Sequence, residues 1–283
     1  MFVEGVKLFC FGASYSVALA SESAVGLLSA KVRRTVSLVF AAAGLIAHTL
    51  YIGHHTIGVR VCPITTSAGS MLVLSWVLAV GYFTIHWYYP RPSVGVFALP
   101  LILGLIAFAA FLGPDSRREL EGWAKIWGPV HGAILAIGAI AVFVGFVAGL
   151  MYLVQAYRLK SKHLPSELLD LPSLELLERI NRHGITAAFS LLTVGLGIGL
   201  MLAVHERRSG DETIRLLDPK VISAGLVWVV FGVLLQIRSQ PQFRGRKVAL
   251  LTILAFGLLL FTIVGVDLLM PSAWHQAVTG GAS

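Results

Sequence analysis

Eight runs of mostly apolar residues, each near the 20 or so needed to cross a bilayer core about 30 Å thick, constrain this chain more than any other feature. They cover roughly 8–28, 36–55, 68–88, 94–112, 130–156, 183–204, 221–237 and 249–270. Inside lipid every backbone N–H and C=O must find an internal partner, which leaves helices as the solution for such runs. The sequence therefore predicts an all-α, polytopic membrane helix bundle of about eight transmembrane helices. Of 283 residues 57% are hydrophobic and 13% charged, against about a quarter charged in a soluble domain. That balance excludes a soluble enzyme, a disordered chain and a nucleic-acid-binding domain. The longest connections, 157–182 and 205–220, are too short for a soluble domain. Residues 1–283 thus read as a single transmembrane domain, multi-pass in the cell (cytoplasmic or inner) membrane, with the lipid bilayer as its first partner. Residues 1–7 read as the lead-in to the first span rather than as a cleaved signal.

The formal charge of +8 is carried in short stretches between the apolar runs. Counting Lys and Arg by side gives 13 after spans one, three, five and seven, against 9 on the opposite side. The positive-inside rule places the richer side in the cytoplasm and both termini outside. Asp115, Glu119, Glu121, Glu206, Asp211 and Glu212 on the poorer side reinforce the asymmetry. The inner connection contains L-P-S-L-E-L-L-E-R (171–179), read as an interfacial helix that Pro172 and Ser173 start and that leads into span six.

The first span is the most polar, with Ser14, Ser16, Ser21, Glu22 and Ser23. An acid inside a span marks a functional candidate or a buried partner of an Arg or hydroxyl, and both readings stay open for Glu22. Cys10 and Cys62 read as apolar fillers. G-L-G-I-G (195–199), inside span six, reads as a close helix contact through small residues rather than as a phosphate loop.

Nine histidines are present. His131 lies at the outer start of span five in W-G-P-V-H-G (127–132), and His275 lies just beyond span eight in P-S-A-W-H-Q (271–276). The topology puts both at one depth on the outer face, each near a tryptophan, Trp127 or Trp274. Two facing imidazoles would make a six-coordinate heme site, with nitrogens about 4 Å apart for Fe–N bonds of about 2 Å. The competing reading is two interfacial histidines that never meet. His48, deep in span two, needs a partner. His54 and His55 read as a solvated helix end, His183 and His205 as interfacial, and His86 and His163 as loop-edge residues.

W-G-P-V-H-G, L-M-Y-L-V-Q-A-Y-R-L-K (150–160), A-F-S-L-L-T-V-G-L-G-I-G (188–199), D-P-K (218–220) and F-R-G-R-K-V-A-L (243–250), in that order, resemble the cytochrome c assembly protein family. These are membrane heme-handling proteins that include CcsA (ResC), HemX and YpjD. The resemblance covers roughly 40–276. It implies an outer heme-binding face with His131 and His275 as ligands of a non-covalent heme b, and Trp127, Trp274, Asp218 and His48 as further cofactor-binding positions. Synthases of the family carry a tryptophan-rich stretch before D-P-K. Here E-T-I-R-L-L precedes Asp218 and no Trp remains. Where the family often has L-H-x-R near the end of span seven, this chain reads L-Q-I-R with Gln236. Both departures point toward a HemX/YpjD-like protein that handles heme rather than catalysing its attachment. The implied partner is a membrane protein of cytochrome c biogenesis or tetrapyrrole synthesis. The alternatives are a heme-free accessory or regulatory subunit of a membrane complex, or a heme exporter or transporter using Glu22, His48 and Asp267.

Overall fold

The computed structural model describes residues 8–58, 67–88, 93–111, 122–161, 171–208, 219–238, 240 and 245–266. These form eight helices: α1 (Leu8–Ser23), α2 (Ala30–Gly58), α3 (Ser67–Tyr88), α4 (Ser93–Phe111), α5 (Ala124–Ser161), α6 (Leu174–Arg208), α7 (Pro219–Ile237) and α8 (Arg246–Leu260). Helix α8 runs on into a π-helical turn, Phe261–Gly265. Seven of the eight are long and apolar enough to cross a membrane, so the expected helical membrane bundle is observed.

Two boundaries differ from expectation. The first span ends early: α1 has 16 residues, roughly 24 Å at 1.5 Å per residue, short of a bilayer core. It stops because Gly26 takes φ 87°, in the left-handed region, and the chain turns directly into α2. The separate interfacial helix expected over 171–179 is instead the opening of the 35-residue α6. Ser173 caps it, accepting the Leu176 N–H through Oγ at 3.4 Å. No glycine or proline between Arg179 and His183 interrupts the run, so helix propagation carries straight into the span.

Helices α1 to α4 pack as one group, α1 against α2 and α4, and α3 against α2 and α4. Helices α5 to α8 form the second group, in which α5 pairs most extensively with α6 and also holds α8. Contacts of α5 with α3 and α4 join the groups. Between helices in lipid there is no hydrophobic driving force, and close backbone approach through small residues takes its place. The α5–α6 crossing shows this. A Cβ on Gly184 would sit 2.9 Å from the Ala141 carbonyl and 3.1 Å from the Gly145 Cα. Buried Asn181 finishes the joint: its Nδ2 donates to the Gly145 carbonyl at 2.8 Å, and Thr252 Oγ1 of α8 donates to its Oδ1 at 3.3 Å.

Gly184→Val should force α5 and α6 apart and cost about 1–3 kcal/mol, the usual range for overpacking. Gly257→Val is the comparison, since nothing lies within 4 Å of a Cβ there. Thermal unfolding in detergent should show a lower midpoint for the first and a near wild-type midpoint for the second. Equal midpoints would remove the close crossing as the source of α5–α6 stability.

Candidate functional site

Among the described residues, two clusters of titratable side chains stand out. The first lies at the end of α5 and α6 that the charge count assigns to the outside. Trp123, Trp127 and His131 follow one another at i, i+4 and i+8 and so share one face of the chain entering and running along α5. That face meets α6 at its glycines. His131 Nδ1 lies 2.8 Å from the Gly195 carbonyl oxygen, which makes it the N–H donor in that bond. A Cβ at position 199 would approach His131 Cε1 to 2.8 Å, so the imidazole rests in a space that exists because residue 199 is glycine. The G-L-G-I-G stretch is therefore a packing surface, as its sequence suggested, and what it packs is His131. Trp127 is half-buried and stacks on Trp123 with centroids 6.5 Å apart. Trp123 in turn meets His205 of α6 at 4.8 Å. Sequence reading passed over Trp123; its i, i+4, i+8 spacing with Trp127 and His131 was the available signal. His275, Trp274, Asp218 and Asp267 lie outside the described residues, as do Cys62 and His163.

The second lies at the opposite end of the first helix group, and it is closed. Glu22, 1% exposed, accepts hydrogen bonds at Oε1 from Ser37 Oγ of α2 at 2.7 Å and from Tyr82 OH of α3 at 2.6 Å. The two hydroxyls lie 2.9 Å from each other. His86 Nδ1 stands 3.6 Å from the same carboxylate oxygen. Gly95 and Val96 in the first turn of α4 present their N–H groups to the carboxylate, at the positive end of the helix dipole, without closing a hydrogen bond to Oε2. A Cβ on Gly95 would overlap the Glu22 carboxylate. Arg33 Nη1 donates to the Glu22 backbone carbonyl at 3.4 Å and covers the carbonyl end of α1. Of the two readings open for Glu22, the structure shows a buried acid partnered by hydroxyls.

His86 corrects the sequence reading. Expected at a loop edge, it is 1% exposed, because α3 continues to Tyr88 and turns that face onto Glu22. His48 corrects it in another way. It is fully buried but has no hydrogen-bond partner on either ring nitrogen. The Leu72 backbone lies close without hydrogen-bond geometry. Phe11 stacks on the imidazole with centroids 4.1 Å apart and planes within 5°, and Tyr15 meets its edge at 6.2 Å. Aromatic packing holds this ring where a polar partner was expected. His55 is exposed, its Nδ1 3.2 Å from the Tyr51 carbonyl oxygen, as a solvated helix end should be. Gln236 is exposed on α7.

A many-span helical membrane protein with one face built around a glycine-cradled histidine and one buried acidic cluster is the class that these features define. The comparisons narrow it. A family model described as cytochrome C assembly protein matches residues 64–273, and the chain belongs to that family. Curated relatives include the cytochrome c biogenesis protein CcsA of Synechococcus sp. (strain CC9605), 26% identical over 277 residues, covering 89% of this chain and 87% of the relative. CcsA of Synechococcus sp. (strain CC9902) is 27% identical over 232 residues, covering 73% and 75%. CcsA of Thermosynechococcus vestitus is 26% identical over 246 residues, covering 73% and 76%. The matched region begins just before α3, so α1 and α2 lie ahead of it, joined to it through Glu22.

The Glu22 cluster should be visible in stability. Leaving a buried acceptor without one of its donors costs about 1–3 kcal/mol, so Tyr82→Phe should lower the unfolding free energy by about that much. Glu22→Leu removes the acceptor, and in that background Tyr82→Phe should cost far less. A double-mutant cycle on the purified protein measures the difference. Additive effects would mean that the two side chains do not act as a pair.

Proposed function

We propose that this protein binds and hands on heme at the outer face of the membrane during cytochrome c assembly, as a HemX/YpjD-like member of its family without synthase activity. The observation that carries the reading is the hydrogen bond from His131 Nδ1 to the Gly195 carbonyl. A metal-ligating histidine ordinarily donates its other ring N–H to a carbonyl or carboxylate, which fixes the tautomer and raises the basicity of the ligating nitrogen. His131 is held in that way, with Nε2 unpartnered among the described residues. The cradle left by Gly199 fits the same role, since it seats the ring against α6 without blocking it.

In this proposal His131 and His275 would hold a non-covalent heme b through their imidazoles, and the bound group would supply a redox-active iron. Trp127 with Trp123 offers apolar ring surface beside His131, which the loop before Asp218 has lost. Trp274 and Asp218 remain proposed neighbours of the same face. An inner site at His48 has less support, because Phe11 covers the ring face and the side chain is fully enclosed. The lost tryptophans make the heme exchangeable, which suits transfer to a membrane partner in cytochrome c biogenesis or tetrapyrrole synthesis.

Purified wild-type protein should show the absorption spectrum of a low-spin, six-coordinate heme. His131→Ala should lose it, and so should Gly199→Val, which fills the cradle and leaves the histidine in the sequence. Size-exclusion chromatography separates loss of heme from loss of fold. A colourless wild-type protein that stays colourless after hemin is added, or a spectrum unchanged by His131→Ala, would refute the reading.

A further inference from the structure

A groove lies at the ends of α5 and α8 that the charge count assigns to the cytoplasm, away from the proposed heme site. It encloses about 760 Å³. Helix α5 contributes Leu153, Ala156, Tyr157, Lys160 and Ser161, the i, i+3, i+4, i+7, i+8 pattern of a single helix face. Helix α8 contributes Arg246 and, one turn further on, Leu250. The helices run antiparallel: a Cβ on Gly149 would meet the Ala249 carbonyl, and one on Gly145 the Thr252 methyl. On both helices the cation therefore lies nearer the cytoplasmic end, and the leucine lies deeper.

That order, two cations and hydroxyls at the interface above an aliphatic wall, matches an amphiphile whose negative head sits at the membrane surface and whose chains run into the core. We infer that the groove is a binding site for one anionic phospholipid of the cytoplasmic leaflet, its phosphate held by Lys160 and Arg246 and its acyl chains lying along Leu153, Ala156 and Leu250. Basic pockets between helices on this side of a membrane are suited to such headgroups. Leu250 and Tyr157 are 42% and 66% exposed, so the apolar wall opens sideways, where acyl chains are available and a soluble anion is not. Among the described residues neither Lys160 nor Arg246 has an acidic partner.

The test uses full-length protein purified in a mild detergent, with native mass spectrometry reading bound lipid. The probes are phosphatidylglycerol, phosphatidylcholine, inorganic phosphate and hemin. Wild type should retain one phosphatidylglycerol in preference to phosphatidylcholine. Lys160→Gln/Arg246→Gln should bind it about 30-fold more weakly, or about 2 kcal/mol, from about 1 kcal/mol for each cation near the surface. Leu153→Trp keeps both cations but fills the groove, and should weaken binding while leaving the unfolding midpoint of the lipid-free protein unchanged. Equal retention of the two lipids overturns the proposal, as does undiminished binding by both variants. Displacement of the lipid by inorganic phosphate would assign the site to a free anion, and displacement by hemin would assign it to heme; either result overturns the lipid.

Discussion

A carboxyl group buried to 1% exposure in an apolar bundle must be met by donors, and Glu22 is met from every helix around it. Ser37 of α2 and Tyr82 of α3 donate to a single oxygen, His86 stands beside it, and the first turn of α4 points its amides inward. An uncompensated polar group in hydrocarbon costs several kcal/mol. The positions of α1, α2, α3 and α4 are therefore tied to one another by one side chain. The short α1 depends on this most. With 16 residues it falls short of a span, whereas the 15-residue α8 reaches span length through its π-helical continuation. It gains its place by burying Phe11, Tyr15 and Ala18 between its neighbours.

The second helix group relies on a different device. Gly184, Gly145 and Gly149 let backbones meet, and Asn181 ties α5, α6 and α8 where the approach is closest. The same small-residue logic, repeated at Gly195 and Gly199, makes the His131 cradle. The candidate site thus needs no structure of its own: it continues the seam that holds α5 to α6, toward the end that the charge count assigns to the outside.

Apolar run length and lipid's demand for satisfied backbones made the number and class of helices legible in the sequence. Their ends were less so, because α6 begins within a segment whose polar face looked interfacial and because the turn at Gly26 lies within an apolar run. His131 stood out from its motif, but the Gly195 carbonyl that orients it lies 64 residues away on another helix. The partners of Glu22 could not be read at all: Ser37 is 15 residues distant and Tyr82 is 60. Hydroxyl side chains are too common in such spans to signal a pairing. His86 lies near a loop along the chain, but the face of α3 that it occupies turns onto Glu22.

The order in which the chain is made gives the Glu22 cluster a further meaning. Glu22 is synthesised 60 residues before Tyr82, and α4, whose amides face it, comes later still. The α1–α2 hairpin therefore reaches the membrane with an acid satisfied only in part, by Ser37, and stays a poor resident of lipid until α3 and α4 arrive. The first four helices therefore reach their packed arrangement only as a set, because the partners of Glu22 are complete only when all four are in place.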